Sequence, residues 1–131
     1  MSDRVILREV GLRDGLQLIK SRPDTATKLA WIKAQPEVGF TEIEVTSFVP
    51  ISVLPPFADA ATVLMEAQKI GNLLPNVLVP NLRGAVMAMD AGAKKITFVL
   101  SVSDSHNRAN VRRGTDESLA MLREVVAEHD N

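Results

Sequence analysis

The chain has 131 residues, 46% apolar and 24% charged, with a formal net charge of -1, which suits one globular domain with a real core and excludes a disordered tail or a polyanion-binding surface. It has no cysteine, no tyrosine and only 4% aromatic residues, so a disulfide framework, a thiolate metal site, a cysteine nucleophile and a base-stacking platform are excluded within these residues. Nucleic acid is not an expected partner, no apolar run approaches the ~20 residues of a membrane helix, and no signal-peptide pattern opens the chain; the expectation is a soluble, cytoplasmic protein with no membrane contact.

Taken in order, the first β-rich run is Val5 to Val10, followed by the polar segment Arg13-Asp14-Gly15-Leu16-Gln17. A helix is predicted from about Asp24 to Gln35, opened by an Asp-Thr cap signal, burying Leu29 and Ile32 and ended by Pro36. The second strand is Glu42 to Ser47, and its helix carries Ala60, Val63, Leu64, Ala67 and Ile70 on one face. The third strand, Asn76 to Val79, leads through Asn81, read as a helix N-cap, to a helix marked by Leu82, Ala85, Val86 and Met89. The fourth, Lys95 to Ser101, precedes a helix that carries Leu119, Leu122, Val126 and His129 on one face. Gly39, Gly71 and Gly92 fall where helices should stop, as glycines just past a helix end do.

Four βα units in succession require parallel strands, because each crossover returns the chain to the same end of the sheet. The fold class is α/β. No linker or low-complexity segment divides the chain, so residues 1–131 read as one domain. An open parallel sheet and a closed barrel both begin this way, and pattern alone does not choose between them.

In such folds the loops at the C-terminal ends of the strands hold the site. Asp14 there suits a hard-metal ligand and Arg13 an oxyanion or carboxylate partner, while Gly15 lets backbone approach a ligand; the alternative is a simple Asp-Gly turn with a solvated arginine. Strict alternation sends Glu42, Glu44 and Thr46 to the face opposite Ile43 and Val45. A buried carboxylate at Glu44 is costly unless it ligates or pairs, which leaves a site role or an ion pair with Arg8 or Arg13. After the fourth strand, Ser101, Ser103 and Asp104 offer capping or substrate contact on even terms. His106 and His129 are read as solvated, and Arg108, Arg112 and Arg113 either as a phosphate-attracting cluster or as a solvated face.

The segments Arg8-Glu9-Val10-Gly11-Leu12-Arg13-Asp14-Gly15-Leu16-Gln17 and Glu42-Ile43-Glu44-Val45-Thr46-Ser47-Phe48-Val49 closely resemble the hydroxymethylglutaryl-CoA lyases. Val79-Pro80-Asn81-Leu82-Arg83-Gly84 and Ala91-Gly92-Ala93-Lys94 resemble the third and fourth βα units of the same family. The resemblance implies a TIM-barrel metallolyase of which this chain is the first (βα)4 half, since a full barrel takes ~250 residues. It implies a divalent cation, Mg²⁺ or Mn²⁺, with Asp14 as a ligand, Arg13 and Glu44 as catalytic residues, and Gln17, Thr46 and Ser103 as substrate contacts. The implied substrate is the acyl-CoA 3-hydroxy-3-methylglutaryl-CoA, cleaved to acetoacetate and acetyl-CoA.

Departures go with the resemblance. The family's two metal-binding histidines, its asparagine ligand and its catalytic cysteine belong to the second half of the barrel and are not in this chain, and Leu18-Ile19 stands where relatives often carry Asn-Glu. The isolated chain is therefore expected to be inactive, with its inward face uncovered, and to form a homo-oligomer or to pair with a complementary half-barrel chain. The competing readings are a Claisen-condensing synthase of the isopropylmalate or homocitrate type and a non-catalytic half-barrel binding module.

Overall fold

The run Glu42–Ser47 forms a strand because Ile43 and Val45 are β-branched residues that bury well on one side of a pleated ribbon. It is the second of four parallel strands in the computed structural model, which describes residues 5–129. The strands are β1 Arg8–Glu9, β2 Glu42–Ser47, β3 Leu74–Val79 and β4 Ile96–Phe98, paired in the order β1-β2-β3-β4. A π-helical turn, Gly11–Gly15, then α1 Leu16–Leu18 and α2 Thr25–Ala34 join β1 to β2. Helix α3 Ala60–Ala67 follows β2, α4 Leu82–Asp90 follows β3, and α5 Asp104–Val111 with α6 Thr115–His129 follow β4.

Sequential order without reversal gives every crossover the same right hand, so the crossover helices gather on one face of the sheet. A doubly wound sheet reverses its order at a switch point; none occurs among the described strands. Ile43, Val45, Val77 and Val79 from the sheet meet Ile32 of α2, Val63, Leu64 and Ala67 of α3, Ala85 and Ala88 of α4 and Val125 of α6 in one buried cluster. Asp24 caps α2 by accepting from Thr27 N–H at 2.8 Å, and Asn81 caps α4 by accepting from Gly84 N–H at 2.9 Å. Pro36 opens a single 3₁₀ turn after α2, so that helix stops where its sequence says it should.

Four expectations are corrected. The first and fourth strands are far shorter than their β-rich runs, because each lies at a sheet edge with a neighbour on one side only; Val5, Ile6 and Leu7 are exposed. The third strand begins two residues earlier, at Leu74, whose N–H donates to Thr41 O. Gly39 and Gly92 take the left-handed conformation, but near Gly71 it is Asn72, at φ 64°, that does so. The last helix is turned by one residue from its predicted face: Ser118 and Val125 are buried and Leu122 is half-buried, while Leu119 and Val126 are exposed; His129 is exposed, as expected. Buried Asn107 sets that turn by donating to Ser118 Oγ at 2.7 Å and to the carbonyls of Arg113 and Gly114, both at 3.0 Å.

The inward face is polar, as the alternation of β2 led one to expect. Glu44 and Asn76 are both buried there. Toward the N-terminal ends of the strands, Glu42 accepts from Arg8 Nε and Nη2 at 3.1 and 3.0 Å and from Lys95 Nζ at 2.7 Å. These bonds tie β1, β2 and the residue before β4 across the sheet.

Two outcomes follow from this packing. A Cβ on Gly84 would lie 2.6 Å from Phe48 O, whereas one on Gly15 meets nothing within 4 Å in an ordinary helical conformation. Gly84→Ala should lose about 1–3 kcal/mol by overpacking, while Gly15→Ala should be neutral or gain up to about 1 kcal/mol; urea midpoints at constant slope measure both.

The second outcome concerns acid. The Lys95 ammonium, helped by the Arg8 guanidinium and opposed by burial, holds the Glu42 carboxyl below its ordinary value. The folded state then binds that proton less readily than the unfolded chain. The resulting stabilisation is complete above the unfolded value of about 4.3 and is lost as pH falls through the lower folded value. Glu42→Gln should flatten the acid limb of stability against pH below about 4.3, and an unchanged limb would assign the acid sensitivity to other carboxylates.

Candidate functional site

Residues after β1 do not form an open loop. Gly11–Gly15 coils as a π-helical turn, with the N–H groups of Arg13 and Asp14 both donating to Val10 O, at 3.0 and 2.7 Å, and passes directly into α1. The turn is anchored from below by Glu9, whose Oε1 accepts from Gly11 N–H at 2.7 Å, and from the core side by buried Leu12 and Leu16. Arg13 and Asp14 are thereby raised on a rigid element at the C-terminal end of β1. Gly15 sits at φ -61°, a conformation open to any residue, so a special need for glycine does not arise from its backbone.

Glu44 lies in the middle of β2 and is 2% exposed. Arg13 meets it with two bonds, Nε to Oε1 at 2.9 Å and Nη2 to Oε2 at 3.4 Å. The third guanidinium nitrogen, Nη1, donates to Asp14 Oδ1 at 2.9 Å. Three of the five N–H donors of a guanidinium are thus engaged, and two remain for another acceptor. The side chain of Arg13 is 17% exposed and that of Asp14 58%, so Asp14 reaches outward while its neighbour is held inward. The pairing of Glu44 with Arg13 is one of the two alternatives its burial leaves open. It does not exclude the other, because an arginine held by a buried carboxylate is an arginine held in place.

The remaining candidates are less closely gathered. Gln17 is exposed on α1, one helical turn beyond Asp14. Thr46 is buried, but the pairing register with β3 shifts between Glu44 and Thr46, so the strict alternation expected to carry both inward is interrupted. Ser103 caps α5, its hydroxyl accepting from His106 N–H at 3.3 Å and lying 3.0 Å from Ser105 Oγ; parallel strands put it at the same end of the sheet as Arg13, without a bond to it. His106 is exposed. Of the basic cluster, Arg108 is bound to Asp104 at 2.7 Å and Arg113 to Ser118 Oγ at 3.1 Å and to Pro80 O, its guanidinium 5.9 Å from the Phe98 ring. Two of its three members therefore serve the fold of the α5–α6 region.

As a metal site the arrangement offers one hard oxygen donor. Asp14 has a carboxylate oxygen not used by Arg13, facing outward, which fits a single position around Mg²⁺ or Mn²⁺. Among the described residues no group of three histidine, cysteine or carboxylate side chains converges. Sequence reading missed Asn76 and Thr97, joined at 2.7 Å on the inward face. The available signal was the same as for Glu44, a polar residue among apolar neighbours within a strand.

A family model described as HMGL-like matches residues 4–130. Hydroxymethylglutaryl-CoA lyase YngG of Bacillus subtilis is 36% identical over 122 residues, covering 93% of this chain and 41% of its own length. The mitochondrial hydroxymethylglutaryl-CoA lyase of Gallus gallus is 38% identical over 123 residues, covering 94% of this chain and 41% of its own length. Among solved structures, an HMG-CoA lyase from Acinetobacter baumannii, in complex with coenzyme A and 3-methylmalate, superposes with a TM-score of 0.88 at 34% identity, over 98% of this chain and 42% of that one. The Bacillus subtilis HMG-CoA lyase gives 0.86 at 35% identity over 95% of this chain and 42% of its own. The chain thus spans about two-fifths of the length of the relatives it matches, and its sequential parallel strands correspond to part of their TIM barrel. With nearly its whole length matched by one family model and its fold matched by solved members, the chain belongs to the HMGL-like family.

Proposed function

We propose that this chain carries the first four βα units of a hydroxymethylglutaryl-CoA-type carbon–carbon lyase, with Arg13 stabilising the enolate and Glu44 holding Arg13. The carrying observation is the buried Glu44 carboxylate gripping Arg13 by two bonds while Asp14 projects beside it at the C-terminal end of β1. In the reaction the tertiary hydroxyl of 3-hydroxy-3-methylglutaryl-CoA loses its proton and becomes the ketone of acetoacetate. The bond to the CH₂ beside the thioester breaks, its electron pair moves onto the thioester as an enolate, and protonation of that carbon gives acetyl-CoA. Negative charge that grows on the thioester oxygen is what two free N–H donors of a fixed guanidinium can meet. Because Glu44 already holds Arg13, no reorganisation is needed as the charge appears.

A divalent cation, Mg²⁺ or Mn²⁺, would take Asp14 as one ligand and supply Lewis-acid polarisation of the substrate oxygens. Gln17, Thr46 and Ser103 are proposed to contact the acyl-CoA. The other half of the barrel is the proposed partner, as a second copy or a complementary chain, supported by the two short edge strands and the apolar residues exposed beside them.

In a polypeptide that joins this chain to the remaining βα units of a lyase relative, Arg13→Lys should lower kcat by about 10²–10³-fold with little change in KM, as loss of an oxyanion donor does. Asp14→Ala should raise the Mn²⁺ concentration needed for half-maximal activity. Turnover unaltered by Arg13→Lys would remove the enolate role.

The chain alone should show no lyase turnover in Mg²⁺ or Mn²⁺. Light scattering across a dilution series should find it associated rather than monomeric, and a monomer throughout the series would refute the edge-driven partner.

A further inference from the structure

Asn76 is fully buried in β3, directly in register with Glu44 of β2. Its Nδ2 lies 2.7 Å from Thr97 Oγ1, and its Oδ1 is buried with no hydrogen-bond partner among the described residues. A separation of 2.7 Å fits either an N–H···O or an O–H···O bond, so the unpartnered Oδ1, not the length, is what bears on the amide's orientation. Half a turn about the last side-chain bond exchanges the amide oxygen and nitrogen and moves nothing else. Thr97 then donates its hydroxyl proton to Asn76 Oδ1, and the amide nitrogen occupies the position that lacked a partner. A buried NH₂ there requires an acceptor. Adjacent strands are about 4.8 Å apart and residues in register share a face, so the carboxylate of Glu44 is the acceptor the pairing brings alongside. An ionised carboxylate accepts about four hydrogen bonds, and Arg13 uses two.

From this geometry we infer that Asn76 is a positioning residue, its amide nitrogen bound to Glu44 so that Thr97, Asn76, Glu44 and Arg13 form one hydrogen-bonded row across the inward face. The inference rests on the reading of Glu44 and Arg13 as site residues and adds their support from β3 and β4.

Isotope-labelled chain and NMR test it directly. The side-chain amide protons of Asn76 should show stronger NOEs to the γ-CH₂ of Glu44 than to the methyl of Thr97, and the pattern should survive in Thr97→Val. NOEs chiefly to the Thr97 methyl, or to water, would overturn it. Asn76→Ala should speed exchange of the Arg13 Nε proton with solvent by about tenfold or more, the factor one hydrogen bond to a charged group supports, while Thr97→Val leaves it nearly unchanged. Equal acceleration in both variants overturns the row, since a residue that only joins β3 to β4 affects Arg13 identically through either partner. Should Asn76→Ala fail to fold, the NOEs of the unaltered chain and of Thr97→Val decide. A contact between Asn76 and Glu44 combined with full turnover in Glu44→Gln of the joined enzyme would overturn the site reading and leave the row standing. Loss of turnover in Glu44→Gln without that contact overturns the row alone.

Discussion

A carboxylate in the interior of a sheet is tolerated only with a cation beside it, and the placing of Glu44 makes that demand on the whole first βα unit. Removing one partner of such a pair typically costs 3–5 kcal/mol, because the other is left buried and uncompensated. Arg13 must therefore sit over β2, which requires the chain leaving β1 to turn back within a few residues. The tight π-helical turn at Gly11–Gly15 does this, secured by Glu9 at its start and by Leu12 and Leu16 underneath. Placement of Asp14 follows, since it is bonded to Arg13 and shares the turn. One electrostatic constraint in the second strand thus sets the backbone of the first connection and the direction of its two charged side chains.

The sheet divides its two faces by the same logic. Toward the helices it presents β-branched residues, and Ile43, Val45, Val77 and Val79 are essentially excluded from solvent. Toward the other side it presents Glu42, Glu44, Asn76 and Thr97, each drawn into a bond with a neighbouring strand or connection. An apolar inward face would bind any other apolar surface without orientation. A polar one requires donors and acceptors to match, so only a partner with the complementary pattern can close over it. Exposed apolar residues lie at the β1 edge, at Val5, Ile6 and Leu7, on the outer helices, at Met87 and Val126, and in the connections after the strands, at Leu18, Val53 and Val102.

Legibility in the sequence followed the range of the forces involved. Glu42–Ser47, Asp24 as a cap, Asn81 as a cap and the end of the helix before Pro36 were readable because each depends on a few adjacent residues. The short edge strands were not, because β-propensity in Val5–Leu7 and Val99–Ser101 says nothing of whether a neighbouring strand is present to pair. Nor was the face of the last helix: Ser118 is buried because Asn107, eleven residues earlier, donates to it, and no periodicity of apolar residues encodes that bond. At the site, Arg13, Asp14 and Glu44 were singled out by type and place in the chain. The bonds between Arg13 and Glu44 join residues 31 apart and required the fold.

Resemblance and geometry inform different steps of the functional reading. The motif alone names Arg13 and Asp14 together, as though they had one task. Their environments separate them: Arg13 is largely enclosed and bonded at all three nitrogens, while Asp14 extends into solvent with an oxygen to spare. A fixed donor of low reorganisation suits charge that appears only during bond breaking, and an accessible carboxylate suits a ligand that must enter and leave. In the proposed reaction the intermediary is Glu44, whose own negative charge, buried beside the guanidinium, would partly offset the positive charge Arg13 offers to an enolate. An arginine free of Glu44 would attract a substrate anion more strongly but at no fixed position. Held by Glu44, it gives up some attraction for alignment, and alignment with a charge that does not yet exist in the ground state is what distinguishes stabilising a transition state from merely binding a substrate.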